Sequence, residues 1–235
     1  MTFPVWITLG PWRLHPHVVF ELLGYATAVG LVVLLRPRVG DMLRRDQRVI
    51  VASAALIGSV AGSWILAWPG GKTVVGGLIG AIAAVEFAKW RIGVTMRTGD
   101  LFVFPACAGM AIGRIGCFLT GLDDDTYGVP TSWVTGVDFG DGVRRHPTQL
   151  YDIAFLTLLG AVLFALRERF TVPGKLFRAF VMAYMAWRLA VDFLKPEPRV
   201  ALGLSVIQWA ALAMLTYYMM RGARAGAPRP ATSGE

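Results

Sequence analysis

The chain has 235 residues and a net charge of +8; 55% of it is hydrophobic, 16% is charged, and its mean hydropathy is +0.56. Soluble domains carry about a quarter charged residues, so this composition excludes an ordinary soluble enzyme and predicts an all-α integral membrane protein. The basic excess needs no nucleic acid, because short cytoplasmic loops beside anionic headgroups concentrate Lys and Arg.

A helix needs roughly 20 apolar residues to cross the hydrocarbon core, and seven windows meet that length: 17–35, 49–68, 73–90, 100–119, 148–166, 176–195 and 203–220. They predict a single domain over 1–235, a bundle of about seven transmembrane helices. The first window is expected to remain as a span, since no basic region precedes it and no small-residue cleavage site follows it. After the second window, Pro69-Gly70-Gly71-Lys72 is either a turn offering N–H groups and a lysine to an anion or a plain connector. In the third window Glu86 has Lys89 at i+3, a structural pair. Gly58 and Gly62, Gly76 and Gly80, and Gly109 and Gly113 have the spacing that lets helices approach closely in lipid.

The fourth window holds the anomaly. Arg114 is the only charge between Phe102 and Leu119, and a charge deep in a bilayer helix costs from a few to more than ten kcal/mol, so a partner or substrate must use it. Arg188 repeats the pattern in the sixth window, with Asp192 four residues on and on the same helical face. Cys107 and Cys117 share the fourth window ten residues apart, about 15 Å along a helix and too far for a disulfide. Cys117, one turn beyond Arg114, reads as buried packing or as a thiol acidified by that cation.

The segment 121–147 contains five aspartates, two prolines and several glycines, which predicts a folded outer loop between helices four and five. Trp133 and Phe139 are expected as interfacial anchors. Asp123-Asp124-Asp125 lacks the alternation and closing Glu of an EF-hand, so no metal site is expected, and the composition implies no cofactor.

Orientation follows from the 23 Lys and Arg. With the N-terminus outside, fifteen fall in cytoplasmic loops and six in outer ones, and Arg114 and Arg188 complete the set. That topology brings Arg114, Arg188, Asp192, Asp152 and Glu21 to one depth of the outer leaflet, with His15, His17, His146, the three aspartates and Tyr127 at its margin. Two readings stay open: a static buried ion network, or a pair of guanidiniums gripping a phospholipid phosphate.

The motifs GGKTVVGGLIG (70–80), GRIGCFLTG (113–121), TYGVPT (126–131), RHPTQLYD (145–152) and AWRLAVDFLKP (186–196), in this order, resemble the prolipoprotein diacylglyceryl transferase family from about His15 to the last span. The resemblance implies a bacterial inner-membrane enzyme that moves the diacylglyceryl group of phosphatidylglycerol onto the lipobox cysteine thiol of a lipoprotein signal peptide, releasing glycerol phosphate. It implies catalytic roles for Arg114, Arg188, His146 and Asp124. Among substrate-binding residues it implies Gly113, Gly116, Tyr127, Gln149, Tyr151, Asp152 and Asp192. Glu21, His17, Lys72, Gly76 and Gly77 are expected to complete that surface.

The chain departs from the family pattern in places. Val75 stands where the third span commonly has His, Cys117 and Thr120 replace two asparagines, and Leu122 replaces an acidic residue, with three extra residues before Tyr127-Gly128. Alkyl transfer to sulfur needs a base as well as cations. With the histidine gone, His146 is the first candidate base, then a carboxylate among Asp123, Asp124 and Asp125, then Glu21. The alternative function is a non-catalytic lipid-binding or transport protein, or a transferase with another acceptor.

Overall fold

A computed structural model describes residues 3–39, 43–67 and 71–226. Within them lie seven α-helices: α1 (Pro16–Val39), α2 (Arg45–Leu66), α3 (Val74–Arg91), α4 (Val103–Thr120), α5 (Thr148–Leu166), α6 (Lys175–Val191) and α7 (Val206–Gly226). Each overlaps one window of the hydropathy pattern. By length and composition, four described stretches suffice to cross a membrane: Pro16–Pro37, Arg45–Leu66, Gly99–Asp124 and Thr148–Arg169. The third helix carries Glu86, Lys89 and Arg91 at its end, and the sixth has only 17 residues.

Helix ends follow local chemistry. Pro16 opens α1 at the position where a missing N–H costs nothing. The α6 start is capped from a distance: the Asp100 carboxylate accepts from the Gly174 amide at 2.5 Å and the Phe177 amide at 2.8 Å. The sixth window is shorter than expected, because after Val191 the chain tightens into a 3-10 turn at Asp192–Leu194. The seventh starts late, because Arg199–Ala201 (β5) and Leu204–Ser205 (β6) form an antiparallel hairpin ahead of it.

The helices pack most extensively as α2 on α3 and α1 on α4. The glycine spacing explains the first pair: a Cβ on Gly58 or Gly62 would overlap the backbone of Gly80 or Gly76. Gly109 meets Gly24 of α1 in the same way; a Cβ on Gly113 would meet nothing within 4 Å, although its backbone N lies 3.5 Å from where a Cβ on Gly24 would stand. The core joins Val75, Val103, Leu156, Phe180, Tyr184 and Met185. Leu22, Val33, Ile57, Ile65 and Leu158 are exposed, so the bundle's outer surface is apolar, as expected of a lipid-facing wall. Cys107 and Cys117 are both free thiols. Lys89 pairs with Glu86 at 2.9 Å, the structural pairing expected from the i+3 spacing.

The segment between α4 and α5 is folded. It starts with a 3-10 turn (Gly121–Asp124), and β3 (Val137–Asp138) pairs with β4 (Arg144–Arg145). Trp133 is exposed, as an anchor must be, but Phe139 is 2% exposed and packs among Phe3, Phe118 and Tyr127. Aromatic burial outcompetes the interface at that position. A further hairpin, β1 (Ile7–Leu9) with β2 (Trp12–Leu14), precedes α1.

Candidate functional site

Arg114 and Arg188 meet at one carboxylate. Arg114 Nε lies 2.9 Å from Asp152 Oδ2 and Arg188 Nη1 lies 3.5 Å from the same oxygen, while Trp187 Nε1 donates to Oδ1 at 2.7 Å. Three helices therefore supply the centre: α4 gives Arg114, α5 Asp152 and α6 Arg188. Arg188 also pairs with Asp192 at 3.2 Å, the i+4 contact the sequence predicted. Asp192 accepts further from Ser205 Oγ. Arg199 approaches Asp192 Oδ2 at 3.9 Å and donates to Gln208 Oε1 at 2.6 Å. Lys195, 5% exposed, lies within electrostatic reach of both arginines and both aspartates.

The charges do not balance. Around the carboxylates of Asp152 and Asp192 stand the buried Arg114 and Arg188, the buried Lys195 amine and, at the exposed rim, Arg199. Buried charges are ordinarily paired, so a cluster with more basic groups than carboxylates suits an anionic ligand. Among the described residues, two buried side-chain polar atoms have no hydrogen-bond partner: Arg188 Nε, a donor inside this cluster, and Gln149 Oε1, an acceptor on α5.

A second cluster adjoins the first. The Arg114 Nη1 atom lies 3.9 Å from Cys117 Sγ, and that sulfur lies 3.9 Å from His17 Nδ1. His17 Nδ1 is 2.7 Å from Asp124 Oδ1, and Nε2 is 3.6 Å from Glu21, which pairs with Lys72 at 3.7 Å. Gly116 makes this possible: a Cβ there would stand 2.8 Å from Phe20 Cβ and 3.1 Å from His17 Cα, so α1 lies this close to α4 only over a glycine. Gly121 ends α4 with φ +74, a left-handed conformation that glycine adopts without Cβ strain. The turn it starts points Asp124 inward, while Asp123 and Asp125 stay exposed.

His17, Cys117 and Asp124 together offer three possible metal-ligand atoms, all within 4.8 Å of one another. Two ligands of one tetrahedral zinc ion would stand about 3.3 Å apart, whereas 2.7 Å between His17 and Asp124 is a hydrogen-bond distance. The Arg114 guanidinium beside the same sulfur opposes a dication. The geometry is that of a hydrogen-bonded acid–base group.

The HPTQLYD stretch buttresses the second cluster. Thr126 Oγ1 donates to Asp124 Oδ2 at 2.8 Å and accepts from Gln149 Nε2 at 3.2 Å, while Thr148 Oγ1 donates to the Thr126 carbonyl at 2.6 Å. His146 stands elsewhere: its Nδ1 pairs with the Tyr151 hydroxyl at 3.1 Å, its ring packs on Trp133, and Tyr151 reaches Thr135 at 2.7 Å. Its backbone bonds Gly128 and Val129 across the loop. Tyr127 packs at a tilt against Phe139, with the Arg145 guanidinium over its ring.

Gly76 and Gly77 lie in the α2–α3 contact, against Gly62 and Ser59. Lys72 lies near both Glu21 and the Trp64 ring, whereas Pro69 and Gly70 of the expected anion turn fall outside the described residues. Lys195, Arg199, Gln208 and Thr126 were not singled out from sequence. Thr126 and Lys195 do fall within the TYGVPT and AWRLAVDFLKP motifs, whereas Arg199 and Gln208 show in the sequence only as polar residues in a loop or at a helix start.

A profile of the family described as prolipoprotein diacylglyceryl transferase matches residues 4–221. The chain belongs to that family. A phosphatidylglycerol–prolipoprotein diacylglyceryl transferase from Bordetella parapertussis is 30% identical over a 245-residue alignment covering 90% of this chain and 91% of the relative. Transferases of the same description from Geobacter sulfurreducens (30% identical; 86% of this chain and 85% of the relative) and Cupriavidus pinatubonensis (33% identical; 70% and 64%) are also similar. Val75, the position at which the resemblance expects a histidine, is fully buried in the core cluster with Val103, Leu156, Tyr184 and Met185.

Proposed function

We propose that this protein transfers the diacylglyceryl group of phosphatidylglycerol to the thiol of a prolipoprotein's lipobox cysteine, with release of glycerol phosphate. The observation that carries this reading is the cluster in which the buried Arg114, Arg188 and Lys195, with Arg199 at the exposed rim, outnumber Asp152 and Asp192. Guanidiniums match phosphate oxygens in a planar, bidentate way, and the same donors stabilise the charge that grows on phosphate as it leaves. The unpartnered Gln149 Oε1 offers an acceptor to a glycerol hydroxyl.

The lipid tails have a place beside the cluster. A groove of about 240 Å³ is lined by Leu31, Phe104, Cys107, Ala111, Leu156 and Gly160, from α1, α4 and α5. Ala111 precedes Arg114 by three residues and Leu156 follows Asp152 by four, so headgroup cluster and apolar groove lie one helical turn apart on the same helices. In this reading the seven helices all span the bacterial inner membrane, with the N-terminus outside and the C-terminus cytoplasmic. The segment 121–147 then covers the outer end of the bundle, where phospholipid and secreted precursor meet. His146 and Tyr151 shape that cover, and Tyr127 lies on its inner side.

The test is direct. Purified protein in detergent, given phosphatidylglycerol and a lipobox peptide, should add one diacylglyceryl mass to the peptide and release an equal amount of glycerol phosphate. A well-folded preparation that yields neither product would overturn the proposal.

A further inference from the structure

Resting on the transferase reading, we infer that His17, held in one tautomer by Asp124, is the general base that takes the proton of the acceptor thiol. The third helix cannot supply that base, because Val75 lies in its core. A proton acceptor must therefore come from another element. The first turn of α1 presents one beside the phosphate-binding arginines.

The hydrogen bonds fix which nitrogen is basic. His17 Nδ1 stands 2.7 Å from Asp124 Oδ1, and a carboxylate accepts, so Nδ1 donates there and Nε2 is the nitrogen left to exchange a proton with the acceptor thiol. Asp124 is itself fixed through its other oxygen by Thr126 Oγ1 at 2.8 Å. Thr126 is held in turn by Thr148 and Gln149. Carboxylate, imidazole and outward nitrogen thus follow the order of an oriented general base. The ring is 30% exposed, which leaves room for a substrate thiol to approach.

The surrounding charges favour the product of proton transfer. Glu21 Oε2 lies 3.6 Å from Nε2, with Lys72 behind it at 3.7 Å, and Asp124 faces Nδ1. From α4, Cys117 Sγ lies 3.9 Å from Nδ1 and Arg114 lies 3.9 Å beyond that sulfur. Two carboxylates beside the ring stabilise the imidazolium. Only the Cys117 sulfur separates the His17 ring from Arg114, so base and phosphate clamp are neighbours.

The step balances. The acceptor S–H gives its proton to His17 Nε2; the thiolate pair forms a C–S bond to the glyceryl carbon; the C–O bond to phosphate breaks; and glycerol phosphate leaves with that electron pair against the arginines. Asp124 is a positioning residue, and Glu21 supports the imidazolium.

The experiment uses the full chain with phosphatidylglycerol and a lipobox peptide, with rates taken from pH 6 to 10. His17→Gln should lose about 10²- to 10⁴-fold at pH 7. Its deficit should then shrink about tenfold per pH unit towards pH 8.5, where a thiol ionises unaided. Asp124→Asn should lower kcat more than KM and move the acidic limb of the profile to lower pH. That shift supports the assignment even if His17→Gln fails to fold, which thermal unfolding would reveal. A deficit of constant size at every pH, or full activity in His17→Gln, overturns the assignment. So does wild-type activity that is abolished by a chelator and restored by zinc. No product from well-folded wild-type protein would instead overturn the transferase reading itself.

Discussion

Asp152→Asn removes one charge from the centre of the arginine cluster while conserving size and leaving a carbonyl oxygen for Trp187. With an effective dielectric constant of about 20, a charge pair at the 2.9 Å of Arg114 is worth about 6 kcal/mol, and at the 3.5 Å of Arg188 about 5 kcal/mol. Returning the carboxylate's several kcal/mol of desolvation leaves a net loss of about 3 to 5 kcal/mol, the usual cost of breaking a buried pair from one side. Asp152 is 1% exposed, so water cannot take over the role of the carboxylate. For a chain of this size the loss corresponds to a fall of roughly 6 to 20 °C in unfolding midpoint. Thermal unfolding in detergent measures it, and glycerol phosphate at 100 times its Kd should add back about 2.7 kcal/mol through the arginines. A variant that unfolds within 1 °C of wild type would refute the idea that Asp152 is the shared counter-ion of two buried guanidiniums.

Arg114→Lys keeps a charge but loses the forked donors, and transfer should fall about 10²- to 10³-fold in a peptide-modification assay. Arg188→Ala should lower both activity and stability, since it takes one cation away from Asp152 and Asp192, both 1% exposed or less, and an unchanged unfolding midpoint would count against the stabilising part of that role. Gly80→Ala would drive a methyl group into the Gly58 carbonyl and should destabilise the α2–α3 pair by about 1 to 3 kcal/mol, seen as a lower midpoint. In the β3–β4 hairpin, the Arg145 hydrogen bond to Asp141, aided by the Val143 amide, holds Asp141 down to about 2. Because this carboxyl is more acidic folded than unfolded, the hairpin's order should be retained above pH 4 and lost as pH falls towards 2, measurable by hydrogen exchange; unchanged protection across that range would remove the pair from the account.

Much of the site is visible before folding. Arg114 and Arg188 stand out as lone charges in apolar runs, and Asp192 and Lys89 follow from helical spacing, because such contacts lie within one turn. Residues whose role depends on distant partners are less legible. His17 and Asp124 are 107 positions apart, and nothing in either neighbourhood names the other. Phe139 reads as an interfacial aromatic until Phe3 and Phe118 enclose it. Arg199 reads as a loop charge until the β5–β6 hairpin turns it back towards Asp192 and Gln208.

Composition and hydropathy by themselves determined a helical membrane protein with two anomalous arginines, because the cost of charge in hydrocarbon is a property of each segment alone. The ordered motifs determined the family. Only the tertiary structure decided that both arginines share Asp152 and that Lys195 and Arg199 tip the cluster positive. It also decided that Asp124, and neither of its neighbours, meets His17. Those outcomes depend on Gly116 letting α1 rest on α4 and on Gly121 ending α4 with the turn that points Asp124 inward, and such close approaches exist only once the helices have packed.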